Sequence, residues 1–323
     1  IIWRRLQKHL RKRRTISTMI IKKILDNTNG IEAEFNLLQA TQEELNDFVK
    51  KIPNHHFILL RNVPSNKEKL VEAVNKMGRS STVQKKTVFW ADQDSLEITR
   101  VTNARDEEGK KTGLFADLDL CWHSNGGLRE KVKQVTLMLH CVNPGNPEYG
   151  ITGFCNMKQA YKELPNDVKE LIETMEVRHS MAAFTGEGPT VGKNDGGYKL
   201  TPEDPEYEIF DGSNGKKHHG GTTYTDQVWK PLVVTHPWHG EKALYFIPSL
   251  IEEWRNPTHP DFNSDWLWNY LYDHAFQDKY IYKHKWQPGD MVFNDQYYGL
   301  HNRTEVKGER LLWRFCTDNG NIV

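Results

Sequence analysis

The sequence predicts an α+β chain that is mainly β, with an α/β opening segment, an antiparallel β-sandwich and flanking helices. Three observations predict it. Residues 19–77 alternate strand-like and amphipathic helix-like runs. Later residues hold many short apolar runs parted by Gly, Pro and Asn turn signals, with few helical stretches. Ten Trp, twelve Tyr and thirteen Phe give a 323-residue chain enough large apolar side chain for a substantial core. There is no internal repeat, and residues 19–323 read as a single domain.

Residues 1–18 stand apart, with Arg4, Arg5, Lys8, Arg11, Lys12, Arg13 and Arg14 and no acidic residue ahead of Met19. They are expected to be a disordered extension. An Arg-rich transit peptide or a nucleic-acid arm would need a second feature, and the sequence offers none. Residues 19–24 read as a first strand. Thr41 opens a helix with a capping-box pattern, Glu44 standing three residues on and Leu45, Phe48 and Val49 sharing one face. Residues 57–61 form a buried apolar strand. Residues 65–77 are a second helix with Leu70, Val71, Val74 and Met77 inward.

Residues 81–122 are polar with short β-like runs, residues 98–102 among them, and residues 106–111 form an exposed turn. Residues 135–142 are a clear strand ended by Asn143-Pro144-Gly145, and residues 150–154 are another. Two helices follow at 157–164 and 165–175. Nine glycines crowd residues 184–222, so that span is expected to be a long, weakly ordered insertion of the kind that forms lids. Strands return at 232–237 and 242–246 around a turn at Gly240. Residues 266–274 are helical, with Trp266, Tyr270 and Leu271 sharing one side. Residues 286–293 turn into a strand, and residues 310–316 are the last.

Lys plus Arg equals Asp plus Glu at 43 each, so charge gives no support to nucleic acid as a partner. Cys121, Cys141, Cys155 and Cys316 form no CxxC pair and read as reduced thiols of a cytoplasmic-type protein. No apolar run approaches the length of a membrane span.

The chemistry concentrates in Asp119-Leu120-Cys121-Trp122-His123-Ser124-Asn125-Gly126-Gly127. In an extended segment, His123 and Asn125 point to one face. With a distant second histidine in Asp295-Gln296-Tyr297-Tyr298-Gly299-Leu300-His301, this is the pattern of the facial metal site of non-haem Fe(II) oxygenases, apart from Asn125 where a carboxylate is expected. Asp119, four residues before His123, sits about 13 Å away along an extended strand, too far to share one ion. Asp117 is farther. Glu130 and Asp295 would need folding that the sequence does not reveal.

These pieces resemble the taurine dioxygenase (TauD/TfdA) family of Fe(II)- and 2-oxoglutarate-dependent oxygenases. Trp122-His123-Ser124-Asn125 is similar to that family's W-H-[ST]-D, and Gly150-Ile151-Thr152 to its G-D-T strand. Residues 161–180, with Leu164-Pro165 and His179-Ser180, resemble its helical segment. Thr235-His236-Pro237 with Gly240 and Ala243-Leu244-Tyr245 resembles T-H-P-x-x-G-x-x-A-L-Y. Trp286-Gln287-Pro288-Gly289-Asp290 resembles W-x-x-G-D, and Asp295 with His301 resembles D-N…H. Arg310 and Arg314 resemble the closing R-x-x-x-R. Each piece is weak alone, but their order and spacing from residue 41 to 317 are specific.

The resemblance implies a double-stranded β-helix, or jelly roll, and a dioxygenase that hydroxylates a small-molecule substrate while 2-oxoglutarate becomes succinate and CO2. It implies Fe(II) held by His123, His301 and Asn125, with open positions for 2-oxoglutarate and O2. Arg314 would pair with the distal carboxylate of the cosubstrate through its planar fork, supported by Arg310, and Thr152 would donate its hydroxyl. Asn125 leaves other readings open: a halogenase-like variant with an anion at the vacated position, or a non-catalytic jelly-roll binding protein. Deamidation at Asn125-Gly126 would restore a carboxylate. The substrate, and whether identical chains associate, are not legible.

Overall fold

A computed structural model describes residues 19–26, 28–78, 80, 86, 89–114, 117, 119–125, 135–179, 216–219, 222–225 and 228–318. The basic extension at 1–18 and most of the glycine-rich insertion lie outside them.

In chain order the strands are β1 (Ile20–Leu25), β2 (Gly30–Glu34), β3 (Phe57–Leu60), β4 (Thr99–Thr102), β5 (Leu120–His123), β6 (Thr136–Asn143), β7 (Thr152–Asn156), β8 (Glu176–His179), β9 (Lys216–His219), β10 (Thr222–Thr225), β11 (Val228–Pro231), β12 (Val233–Thr235), β13 (Lys242–Leu244), β14 (Ile251–Arg255), β15 (Ile281–His284), β16 (Met291–Asp295), β17 (Gly299–Arg303) and β18 (Leu311–Thr317). The helices are α1 (Gln42–His55), α2 (Lys67–Met77), α3 (Met157–Lys162), α4 (Asn166–Ile172) and α5 (Ser264–Ala275).

Two sheets make the jelly roll. The major sheet has seven strands in the order β1-β2-β3-β16-β6-β18-β4, and the minor sheet four in the order β15-β7-β17-β5. Small sheets of β11-β8-β14, β12-β13 and β9-β10 complete the topology. The opening α/β segment is not a separate layer. Its strands extend the major sheet: β2 runs parallel to β3, and β3 pairs antiparallel with β16. The hairpin β9-β10 falls at the end of the insertion, where a loop was expected. Gly220-Gly221 lie between two β-prone runs there, a short-hairpin turn signal.

Alternation along the strands sorts side chains into three cores. Leu59, Leu137, Leu139, Val292, Leu312 and Cys316 of the major sheet face Phe154 of the minor sheet, with Trp286 beside them. Phe57 stacks on Phe154 at 5.0 Å and on Tyr282 at 5.2 Å across the interior. The outer face of the major sheet packs Met291, Phe293, Trp313 and Phe315 under α1 and α2. The outer face of the minor sheet packs Trp122, Cys155 and Leu300 under α3, α4 and α5.

The helices follow from local signals. Thr41 closes the expected capping box: the Glu44 amide donates to its Oγ1, and its own amide donates to Glu44 Oε2 at 2.6 Å. Leu45, Phe48, Val49 and Ile52 then bury one stripe of α1. On α5 the buried stripe is Leu267, Trp268, Leu271 and Ala275. Trp266 and Tyr270 do share a side, but it is the outer one, where they stack at 5.2 Å.

Removing the inter-sheet ring should be costly. Phe57→Ala is expected to lower unfolding free energy by about 3–5 kcal/mol, read from urea midpoints. Acid should also destabilise the chain. Burial pulls His56 down from 6.5 to about 3 and His140 to about 4, against the backbone contact of His55 in the first case and Asp290 in the second. Both are neutral when folded but take up a proton below the ordinary histidine value when unfolded. Stability present at pH 7 is therefore lost as pH falls from about 6.5 toward 4, and urea unfolding at pH 7 and pH 5 should show the difference.

Candidate active site

The site is built where the two sheets face each other. On the minor sheet, β17 pairs with β5 so that His301 lies directly opposite His123, the two rings 4.1 Å apart between centroids. Two residues further along β17, Arg303 pairs with Leu120, which is three residues from His123. The extra residue on β5 is a bulge, and it lets both Leu120 and His123 reach the interior. On its other side β17 pairs with β7, setting Arg303 opposite Thr152. Gly153 is required between them: a Cβ there would come within 2.3 Å of Asn302 Oδ1 and 2.8 Å of Trp122.

The major sheet supplies the opposite wall. Leu312, Arg314 and Cys316 alternate inward along β18, and Arg310 enters just before it. A cavity of about 40 Å³ is lined by His123, Thr152, His301, Arg303, Arg310 and Arg314, together with apolar residues and Asn302. Five of the six residues singled out in the sequence therefore meet in one interior space. A larger surface depression across β1, β2 and the start of α2 holds none of them.

Asn125 lies beyond the end of β5 and does not line the cavity. Its backbone amide donates to Gln296 Oε1 at 2.8 Å, and its side-chain amide is 3.8 Å from Cys316 Sγ. The neighbouring Ser124 hydroxyl donates to the Gln296 carbonyl at 3.0 Å. Gln296 is itself fixed by Asn294 Oδ1 at 2.7 Å. Asn125 Oδ1 accepts no hydrogen bond among the described residues.

Other carboxylates are committed elsewhere. Asp295 accepts the amides of Tyr297 and Tyr298, shaping the turn into β17, and His236 Nε2 lies 3.1 Å from it. His236 Nδ1 accepts the amides of Trp238 and His239, so its proton sits on Nε2 and is donated to Asp295. Asp119 accepts the Glu305 amide. Glu130 lies outside the described residues.

Electrostatics keeps the histidines neutral. Burial drives His123 down to about 4 against the Cys121 carbonyl, with Arg314 and Arg303 pushing the same way as burial. Burial, then His123, then Arg314 hold His301 well below the ordinary value. The Cys121 carbonyl lies 2.8 Å from His123 Nδ1, and a carbonyl can only accept, so Nδ1 carries the proton and Nε2 keeps a lone pair. Two neutral imidazoles side by side fit a borderline divalent metal such as Fe(II) as two of its ligands. No cluster of three His, Cys, Asp or Glu side chains able to hold a metal occurs among the described residues.

Arg310 is 2% exposed, and its Nε has no hydrogen-bond partner. Burial and then Arg303 lower it to about 9, with Cys141 opposing. Its guanidinium lies 5.9 Å from the Trp286 ring, and Trp286 Nε1 donates to Thr152 Oγ1 at 2.8 Å. Arg310, Trp286 and Thr152 thus form one wall, and the Thr152 hydroxyl keeps its own proton for an acceptor. The W-x-x-G-D turn holds this wall. Asp290 accepts from the Gln287 amide at 2.8 Å, from Arg61 at 2.8 Å and from His284 Nε2 at 3.0 Å.

The sequence reading missed Arg303 and Gln296. Arg303 follows His301 by two residues, the same spacing that drew attention to Asn125 after His123. Gln296 carried no signal, because its partners are set by the fold.

Comparisons with known proteins bear on the family and the fold. The family model described as "Taurine catabolism dioxygenase TauD, TfdA family" matches residues 23–316. The chain is 31% identical over 172 residues to (S)-phenoxypropionate/alpha-ketoglutarate-dioxygenase of Sphingobium herbicidovorans, covering 51% of this chain and 50% of that one. It is 29% identical over 208 residues to pentalenolactone F synthase of Streptomyces arenae, covering 64% and 62%. The matched stretches thus span only half to two thirds of these relatives. Among solved structures, a taurine dioxygenase from Burkholderia xenovorans superposes with TM-score 0.64 at 18% identity, over 93% of this chain and 89% of that one. AAD-2 in complex with Mn(II) and N-oxalylglycine also gives TM-score 0.64, at 20% identity, over 93% and 97%. At such identities the structures speak for the jelly-roll fold alone. The family match extends over most of the residues, and the chain belongs to the TauD/TfdA dioxygenase family.

Proposed function

We propose that the chain is an Fe(II)- and 2-oxoglutarate-dependent dioxygenase that oxidises a C–H bond of a small-molecule substrate and releases succinate and CO2. The observation that carries this reading is the opposition of His123 and His301 on one sheet to Arg310 and Arg314 on the other, within one cavity.

His123 and His301 would hold the metal through imidazole nitrogen, while Asn125, the third donor expected from the sequence, stands outside the cavity lining. Iron held there would supply the redox centre that activates O2. The chain's own residues do the rest. Arg310, rather than Arg314, takes the distal carboxylate of 2-oxoglutarate, because it is the most deeply buried of the three guanidiniums and shares a wall with Trp286 and the Thr152 hydroxyl. Arg314 and Arg303, both close enough to depress His123, lie toward the metal end. Val101, Leu120, Leu139 and Leu312 exclude water around them. Gln296 is a positioning residue: it ties the end of β5 to the turn that leads into His301. The four buried free thiols support a reducing compartment such as the cytoplasm.

The test is anaerobic addition of Fe(II) with and without 2-oxoglutarate, read as the weak visible charge-transfer band of the chelated cosubstrate, followed by O2 and assay of succinate. A band and succinate are expected. Their absence in a folded natural chain, with the band appearing in Asn125→Asp, would replace this reading with a binding protein. Arg310→Met should raise KM for 2-oxoglutarate by about 10–100-fold, the worth of one charge-assisted hydrogen bond of about 1.5–3 kcal/mol. Gln296→Ala should speed hydrogen exchange at the Asn125 amide by roughly tenfold or more while distant β-sheet amides keep their protection.

A further inference from the structure

We propose that this site fills in a fixed order: the dicarboxylate binds the metal-free chain first, and the metal is held firmly only afterwards. The inference rests on the functional reading above and deepens it.

Arg310 carries the argument. It is nearly fully buried, lines the cavity, and has an Nε with no hydrogen-bond partner. Its guanidinium lies 5.9 Å from the Trp286 ring, at the edge of attraction. A buried cation with an unsatisfied donor is costly, and an anion that accepts from it removes the cost. Arg303 stands close enough to make that cost at Arg310 larger. None of the described residues lining the cavity is a carboxylate. The metal-free cavity is therefore already an anion site.

The same inventory disfavours a lone dication. Among the described residues its metal donors are two imidazoles, and neither brings negative charge. Arg303, Arg310 and Arg314 surround the same space. A dianion in place reverses that balance and presents oxygen donors of its own. Metal affinity then rises by the factor by which the metal raises dianion affinity, as linkage requires. A carboxylate at position 125 would supply a permanent charge and weaken the dependence.

The experiment uses the whole chain after treatment with a chelator. Calorimetric titration with 2-oxoglutarate is run beside glutarate, which keeps both carboxylates but lacks the chelating keto group. Mn(II) binding is measured by equilibrium dialysis with and without each dianion, in the natural chain and in Asn125→Asp. The metal-free natural chain should bind both dianions. Either dianion should tighten Mn(II) at least tenfold, and that ratio should shrink several-fold in Asn125→Asp. Arg310→Met should lose dianion binding at least tenfold, and if it does not fold, the natural-chain titrations still decide. Failure of the metal-free chain to bind either dianion, or equal Mn(II) affinity with and without them, overturns the proposal. Succinate formation alongside metal-first binding overturns the order and leaves the dioxygenase reading standing. Dianion-first binding without succinate supports the order and removes that reading.

Discussion

Everything at this site depends on the register of β17 against its neighbours. Side chains alternate across a strand, so a slip of one residue would turn His301 and Arg303 to the helix-covered face and bring Leu300 inward. Several contacts hold the register. Asp295 and His236 shape the turn that delivers the strand. Gln296 joins that turn to the end of β5. Gly153 lets β7 approach closely. The bulge in β5 then brings a second side chain to the interior without moving His123. Two sequence pieces that look unrelated, T-H-P and D…H, meet as one buried contact between His236 and Asp295.

The two sheets divide the chemistry. The minor sheet brings imidazole, a hydroxyl and Arg303; the major sheet and the turn before β18 bring the other two guanidiniums. Burial gives each group a fixed state. The histidines are kept neutral by desolvation and by neighbouring arginines, which leaves nitrogen lone pairs available at neutral pH. Arg310 remains cationic at neutral pH although burial opposes it. A space with nitrogen lone pairs on one side and buried positive charge on the other is suited to a cation at the first and an anion at the second.

Much of this was legible in the sequence because its cause is local. The Thr41 capping box, the apolar strand at 57–60 and the 136–143 strand follow from short-range patterns. So does the antiparallel character of the later chain. β17 did not announce itself: Gly299-Leu300-His301-Asn302-Arg303 has one large apolar residue, and its strand conformation comes from pairing on both sides. The same limit explains Asn125. Two residues apart means one face only while the strand continues, and β5 ends at His123. Past that point the chain is directed by Gln296, 171 residues away in sequence, which no local pattern encodes. The opening segment looked like an α/β unit because its helices and strands alternate, yet β3 joins β16 from the far end of the chain.

One consequence follows from the site lying between sheets rather than within one. A ligand held as proposed, at one end from β5 and β17 through a metal and at the other by Arg310, would be a tie-bar across the sandwich, in parallel with the Phe57–Phe154 stack. Slow breathing of the two sheets then has to stretch or release that bar. Occupancy would then stiffen the whole sandwich, and loss of the ligand would return to the interior the freedom by which solvent first enters.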